Sequence, residues 1–88
     1  MQIVLMRIFH DRIEKKFTVD TDSGKAYLEY ETSGNTIRTL SVFVPESQRG
    51  KGIAKKLLDA CIAYSHRNSL NLVPVCSYAK KKLEKQQS

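Results

Sequence analysis

Only two cysteines occur among the 88 residues, and no apolar run approaches the ~18 residues that span a bilayer. A disulfide scaffold and a helical membrane protein are excluded on those grounds. No cysteine or histidine pair has Cys-x-x-Cys or His-x₃-His spacing, so His10, His66, Cys61 and Cys76 are not expected to hold a metal, and both histidines read as surface residues. The apolar stretch in Met1 to Arg7 is too short for a signal-peptide core and has no basic segment before it, which points to the reducing cytoplasm. Repeats, low-complexity tracts and Pro/Gly-rich linkers are absent too, so residues 1–88 are expected to form one domain.

What is present is ordinary globular composition, 41% apolar and 27% charged. A chain of this size buries only roughly 60 to 65% of the surface its unfolded form exposes, so the core is thin. The charge is unevenly placed. Residues 1–48 carry six basic and seven acidic side chains, a balance of −1, whereas residues 49–88 carry nine basic and two acidic, a balance of +7. Such a half wants an anion. Nucleic acid is the usual partner, but strand binding interleaves aromatic stacking platforms, and only Tyr64 and Tyr78 lie there. A phosphate-bearing small molecule competes well. Taken singly, Lys55, Lys56 and Lys80 to Lys82 also fit solvated helix faces.

Up to Val44, β-branched and aromatic residues alternate with turn formers: Phe17-Thr18-Val19, Asp22-Ser23-Gly24, Ala26 to Tyr30, Ser33-Gly34-Asn35, then Thr36 to Val44. That is the pattern of an antiparallel meander. Within the last segment Ile37 sits on one phase and Leu40, Val42 and Val44 on the other, a slip that predicts a β-bulge. Pro45 ends the strand. The period then changes: Ile53, Leu57, Leu58, Cys61, Ile62 and Tyr64 form one apolar stripe, predicting an amphipathic helix from about Gly50 to Arg67. Leu70 to Val75 read as one more strand, and Ser77 as the cap of a short final helix carrying Ala79 and Leu83.

Between strand and helix lies Gln48-Arg49-Gly50-Lys51-Gly52-Ile53-Ala54. A glycine-rich turn running into a helix leaves the first N–H groups free, and with the positive end of the helix dipole they can cradle a pyrophosphate. The Lys-Ser/Thr pair of a Walker loop and the Gly-x-Gly-x-x-Gly dinucleotide fingerprint are both missing. Two glycines at a helix start also fit a plain tight turn.

Arg49-x-x-Gly52-x-Ala54 resembles the Arg/Gln-x-x-Gly-x-Gly/Ala loop with which acetyltransferases of the GNAT superfamily hold acetyl-CoA. Ala26 to Tyr30, Val42-Phe43-Val44-Pro45, Arg49 to Ala54 and Val73-Pro74-Val75-Cys76-Ser77-Tyr78, in that order, are similar to the minimal, single-domain N-acetyltransferase-like branch, over roughly Phe17 to Leu83. The resemblance implies an α+β fold: a meander of three or four strands, a long helix, one further strand and a short C-terminal helix. It implies acetyl transfer from acetyl-CoA to a primary amine, a protein lysine or a small amine, with a non-catalytic coenzyme A-binding or interaction module as the alternative. Val42, Phe43 and Val44 would then meet the pantetheine and thioester. Arg49, Gly50, Lys51, Gly52, Ile53 and Ala54 would meet the pyrophosphate, and Lys51, Lys55 or Lys56 the remaining phosphate. Cys76 would stand nearest the reacting centre as the catalytic candidate, with Tyr78 a candidate acid for the departing thiolate.

An amine of pKa near ~10.4 is neutral only about one part in ~10³ at pH 7, so transfer needs help with a proton. The related pattern often carries a His-Thr pair before the proline, but Ser41 and Val42 stand there in this chain. Cys76 as thiolate, Glu29 or Glu31 through water, and an acetyl-Cys76 intermediate are the routes left open. Cys61, on the helix stripe, reads as core, and Cys76 also fits a small buried hydrophobe.

Overall fold

Turn chemistry decides where each strand in the first half stops. In the computed structural model, which describes residues 7–87, β1 (Phe9–Asp11), β2 (Lys16–Thr21), β3 (Gly24–Ser33) and β4 (Thr36–Phe43) form an antiparallel meander. The apolar segment through Met6 lies outside the described residues. Asp11 Oδ1 accepts the amides of Ile13 and Glu14 to close the first hairpin. Gly34, at φ 59°, permits the two-residue loop between the paired Ser33 and Thr36. A single 3-10 turn (Glu46–Gln48), helix α1 (Ile53–Arg67), strand β5 (Asn71–Pro74) and helix α2 (Ser77–Gln87) follow. β5 runs parallel to β4, giving a sheet of order β1-β2-β3-β4-β5 and the expected α+β architecture.

The predicted slip is real. Tyr30 pairs with Thr39 and Glu29 with Ser41, so Leu40 is an extra residue on β4. The insertion lets Ile37 and Thr39 before it, and Val42 and Val44 after it, all contribute to one core. That core joins Phe17, Val19, Ala26, Leu28, Tyr30 and Ile37 of the sheet to Ile53, Leu57, Leu58 and Cys61 of α1 and Ala79 of α2. Both helices therefore pack on the same face. Lys16, Thr18, Tyr27, Glu29 and Ser41 alternate with the buried positions, and no helix among the described residues covers their side of the sheet.

Three expectations are corrected. The long helix begins at Ile53, not Gly50, because Gly50 and Gly52 both hold φ 80°, a left-handed conformation that cannot enter an α-helix. Cys76, not Ser77, caps α2: its Sγ accepts the Ala79 amide at 3.4 Å and its carbonyl accepts the Lys80 amide, so Ser77 is the first helical residue. His66 is exposed as expected, but His10 is not a free surface residue. Pairing of His10 with Phe17 turns its ring onto Phe17, stacked at 4.1 Å between centroids, edge-on to Tyr64 at 4.5 Å, with Nε2 bonded to Tyr30 Oη at 2.6 Å. β1 carries too few apolar residues to announce this pairing.

Burial, then the Arg12 and Arg67 charges, push the His10 pKa below its ordinary 6.5, against a smaller opposing effect of Asp11. The fold thus prefers neutral His10. The stability this gives is complete above pH 6.5 and is lost as pH falls through the lower folded value. The urea midpoint of the wild type should accordingly fall more steeply from pH 7 to 5 than that of His10→Phe, and equal slopes would remove His10 as the titrating group.

Candidate functional site

Pairing between β4 and β5 stops at Thr39 and Pro74. Beyond it the amides of Val75 and Cys76 both donate to the Thr39 carbonyl, each at 3.0 Å, and the chain turns away into α2. β4 continues to Phe43, so its edge from Leu40 onward has no strand beside it on that side among the described residues. The sheet is split at this fork. Thr39 itself is fully buried, and its hydroxyl has no hydrogen-bond partner, a cost of about 1–3 kcal/mol at the root of the split.

The glycine loop arrives at the top of the same opening. The Gln48 amide is taken by Pro45 O, that of Arg49 by Glu46 O, and the next taken is that of Lys56, by Gly52 O. From Gly50 to Lys55 no amide has a protein acceptor among the described residues. Gly50 and Gly52, both left-handed, set this run of donors at the positive end of α1. The loop is braced: Arg49 Nε donates to Val44 O at 3.0 Å, and Ser47 Oγ and Gln48 Nε2 meet Ser23 Oγ in the β2–β3 turn.

These parts enclose a cavity of about 470 Å³. Val42, Phe43 and Val44 form one wall, the loop and first turn of α1 another, and Tyr78 with Lys82 of α2 a third. Arg49, Lys55 and Lys82 are its charged residues, and no carboxylate lines it among the described residues. Of the nine residues expected to meet the cofactor, all but Lys51 lie on this wall. Lys51 donates to Gln48 Oε1 and lines a separate groove beside Asp20 and Asp22. Among the three lysines expected near the remaining phosphate only Lys55 reaches the cavity, with Nζ bonded to Asp59 at 2.9 Å. Lys82 was not anticipated. Its spacing of four from Tyr78 puts the two on one helix face, with Nζ 5.7 Å from the Tyr78 ring centroid, and that spacing was the available signal.

Burial, reinforced by Asp59, raises the Tyr78 pKa, so its hydroxyl stays protonated at neutral pH. Cys61 is core, and burial pushes its thiol up to about 12. Cys76 stands two residues past β5, half-buried, with its sulfur engaged in capping α2, and it is not part of the cavity wall.

Residues 16–88 match the GCN5-related N-acetyl-transferase family. The chain belongs to that family. Among its relatives is Protein NATD1 of Homo sapiens, 35% identical over 79 residues that cover 86% of this chain and 70% of that protein; Protein NATD1 of Bos taurus is equally similar. The solution structure of a GCN5-like protein from Staphylococcus aureus superposes with a TM-score of 0.74 at 31% identity, covering 91% of this chain and 79% of that one.

A Cβ at Gly52 would meet nothing within 4 Å, so the strain of Gly52→Ala is that of the left-handed backbone alone, about 1–2 kcal/mol. Urea unfolding should show that loss, and inorganic pyrophosphate should bind at least tenfold more weakly to the folded variant. Undiminished pyrophosphate affinity would mean that the loop is a turn and nothing more.

Proposed function

We propose that the protein transfers the acetyl group of acetyl-CoA to a primary amine. The observation that carries this reading is the meeting, in one cationic cavity, of the free amides of Gly50 and of Gly52 to Lys55 with the edge of β4 that has no strand beside it among the described residues. Free amides at a helix start suit a diphosphate, and an open strand edge suits the amide-bearing pantetheine arm, which can bond to it as a strand would. Val42, Phe43 and Val44 would flank that arm. Arg49, Lys55 and Lys82 would neutralise the phosphates, with Lys82 taking the part first expected of the Lys51 side chain.

A backbone donor aimed at the thioester oxygen is worth about 10²- to 10³-fold in rate, and the β4 edge is where such a donor would come from. Tyr78, protonated and on the cavity wall, is suited to supply a proton to the departing thiolate. Cys76 is the thiol we propose to act at the reacting centre, from a place at the fork just outside the cavity wall where its sulfur also caps α2. The two free cysteines suit a reducing cytoplasm, and among the described residues no helix is long and apolar enough to cross a membrane.

Coenzyme A at ~100 times its dissociation constant should stabilise the fold by about 2.7 kcal/mol in a thermal-shift titration, and an oligonucleotide should not. Stabilisation by DNA but not by coenzyme A would reject the proposal. Lys82→Glu should weaken coenzyme A more at low salt than at high salt, whereas Lys51→Glu should have the smaller effect. For Cys76→Ala, loss of turnover at unchanged coenzyme A affinity would assign chemistry to the thiol, and unchanged turnover would leave it the cap of α2.

A further inference from the structure

Resting on the acetyl-transfer reading, we propose that the uncovered face of the sheet beside the split is the acceptor subsite, where Tyr27, Phe43, Glu29 and Ser41 receive a primary alkylammonium group. Phe43 links the two sites. It lines the cofactor cavity, yet it is 43% exposed and its ring packs against that of Tyr27 on the uncovered face at 5.6 Å between centroids. One step along the same pair of strands lie Glu29 and Ser41, register partners joined by a hydrogen bond from Ser41 Oγ to Glu29 Oε1 at 3.3 Å. Phe43 lies two positions along the strand from Ser41, a distance of about 6.4–6.8 Å, so the carboxylate stands one side chain away from the cavity wall.

The bulge brings this about. Ser41 is the first residue after the extra Leu40, and without that insertion the residue opposite Glu29 would be Leu40. Ser41 holds the carboxylate in place without neutralising it. The ion pairs formed among the described residues are Asp20–Lys25 and Lys55–Asp59, and neither involves Glu29. Lys16, directly across from Glu29 on β2, points its Nζ instead over the Tyr27 ring, 5.1 Å from the centroid. The chain's own lysine thus demonstrates how this face accommodates an alkylammonium arm: methylenes and charge against the aromatic ring, with a carboxylate alongside. Glu31, the other acidic candidate on β3, is exposed, faces Arg38 across the strands and lies farther from the cavity.

The ligand class follows from these contacts. A flexible aliphatic arm suits Tyr27 and Phe43, and a terminal cation suits Glu29. An amine without the arm, or an arm without the charge, satisfies only half of the subsite.

The test uses the full chain saturated with coenzyme A and ¹H–¹⁵N NMR titration with Nα-acetyl-lysine methylamide, with the uncharged norleucine analogue as control. The lysine probe should shift the amides of Tyr27, Glu29, Ser41 and Phe43, and the norleucine probe should bind at least tenfold more weakly. Glu29→Gln should weaken the lysine probe roughly tenfold or more and raise the acceptor KM to match, with coenzyme A affinity unchanged within twofold; Glu29→Asp, which keeps the charge, should recover most of the loss. Lys16→Ala, which removes the internal occupant of the Tyr27 ring, should tighten the probe. Shifts confined to the Asp20–Asp22 groove, or equal binding of both probes, would overturn the subsite. Binding at Glu29 without turnover by the wild type would uphold the subsite and reject the acetyl-transfer reading, so the two fail separately.

Discussion

One carbonyl oxygen governs the architecture of this protein. Thr39 O takes the amides of both Val75 and Cys76, and that fork is where β5 leaves β4. The Cys76 amide turns back to the carbonyl already taken by Val75 instead of continuing along β4, and the cap formed by Cys76 starts α2 at once, so the strand has no means of rejoining its neighbour. The opening of the sheet, the bare edge of β4 and the placing of Tyr78 and Lys82 across from α1 all depend on this departure.

The uneven charge of the chain acquires a spatial meaning on this frame. The three charges on the cavity wall, Arg49, Lys55 and Lys82, all come from the basic second half. The uncovered face is built from the nearly neutral first half, where Glu29 and Glu31 stand among Lys16 and Arg38. An anion and a cation can thus approach the split from opposite walls without competing for the same side chains, a division suited to a reaction that joins a phosphate-bearing donor to an amine.

Some features of the fold were legible in the sequence and others were not. The bulge could be read because a period of two leaves no freedom: Ile37 and Val42 cannot share a face unless one residue is inserted between them. The α1 stripe could be read for the similar reason that buried positions must recur along one side of a helix. β1 could not, since three residues, FHD, carry no periodic signal, and with β1 went the packing of His10. The side chains around the cavity were legible only in part. Backbone positions of the loop follow from its glycines, but a lysine ammonium on four methylenes reaches either side of a turn, and only the neighbours Gln48 and Asp59 settle where Lys51 and Lys55 point.

The sequence by itself determined the meander, the bulge, the long amphipathic helix and the run of loop amides, because each is a local consequence of periodicity or of glycine's freedom at positive φ. The tertiary structure alone decided which cations share a cavity, that the Cys76 sulfur caps a helix, and that Glu29 is held by Ser41 beside an aromatic pair. Those outcomes depend on contacts between residues far apart in the chain, and such contacts exist only once the strands have paired and both helices have settled on the same face of the sheet.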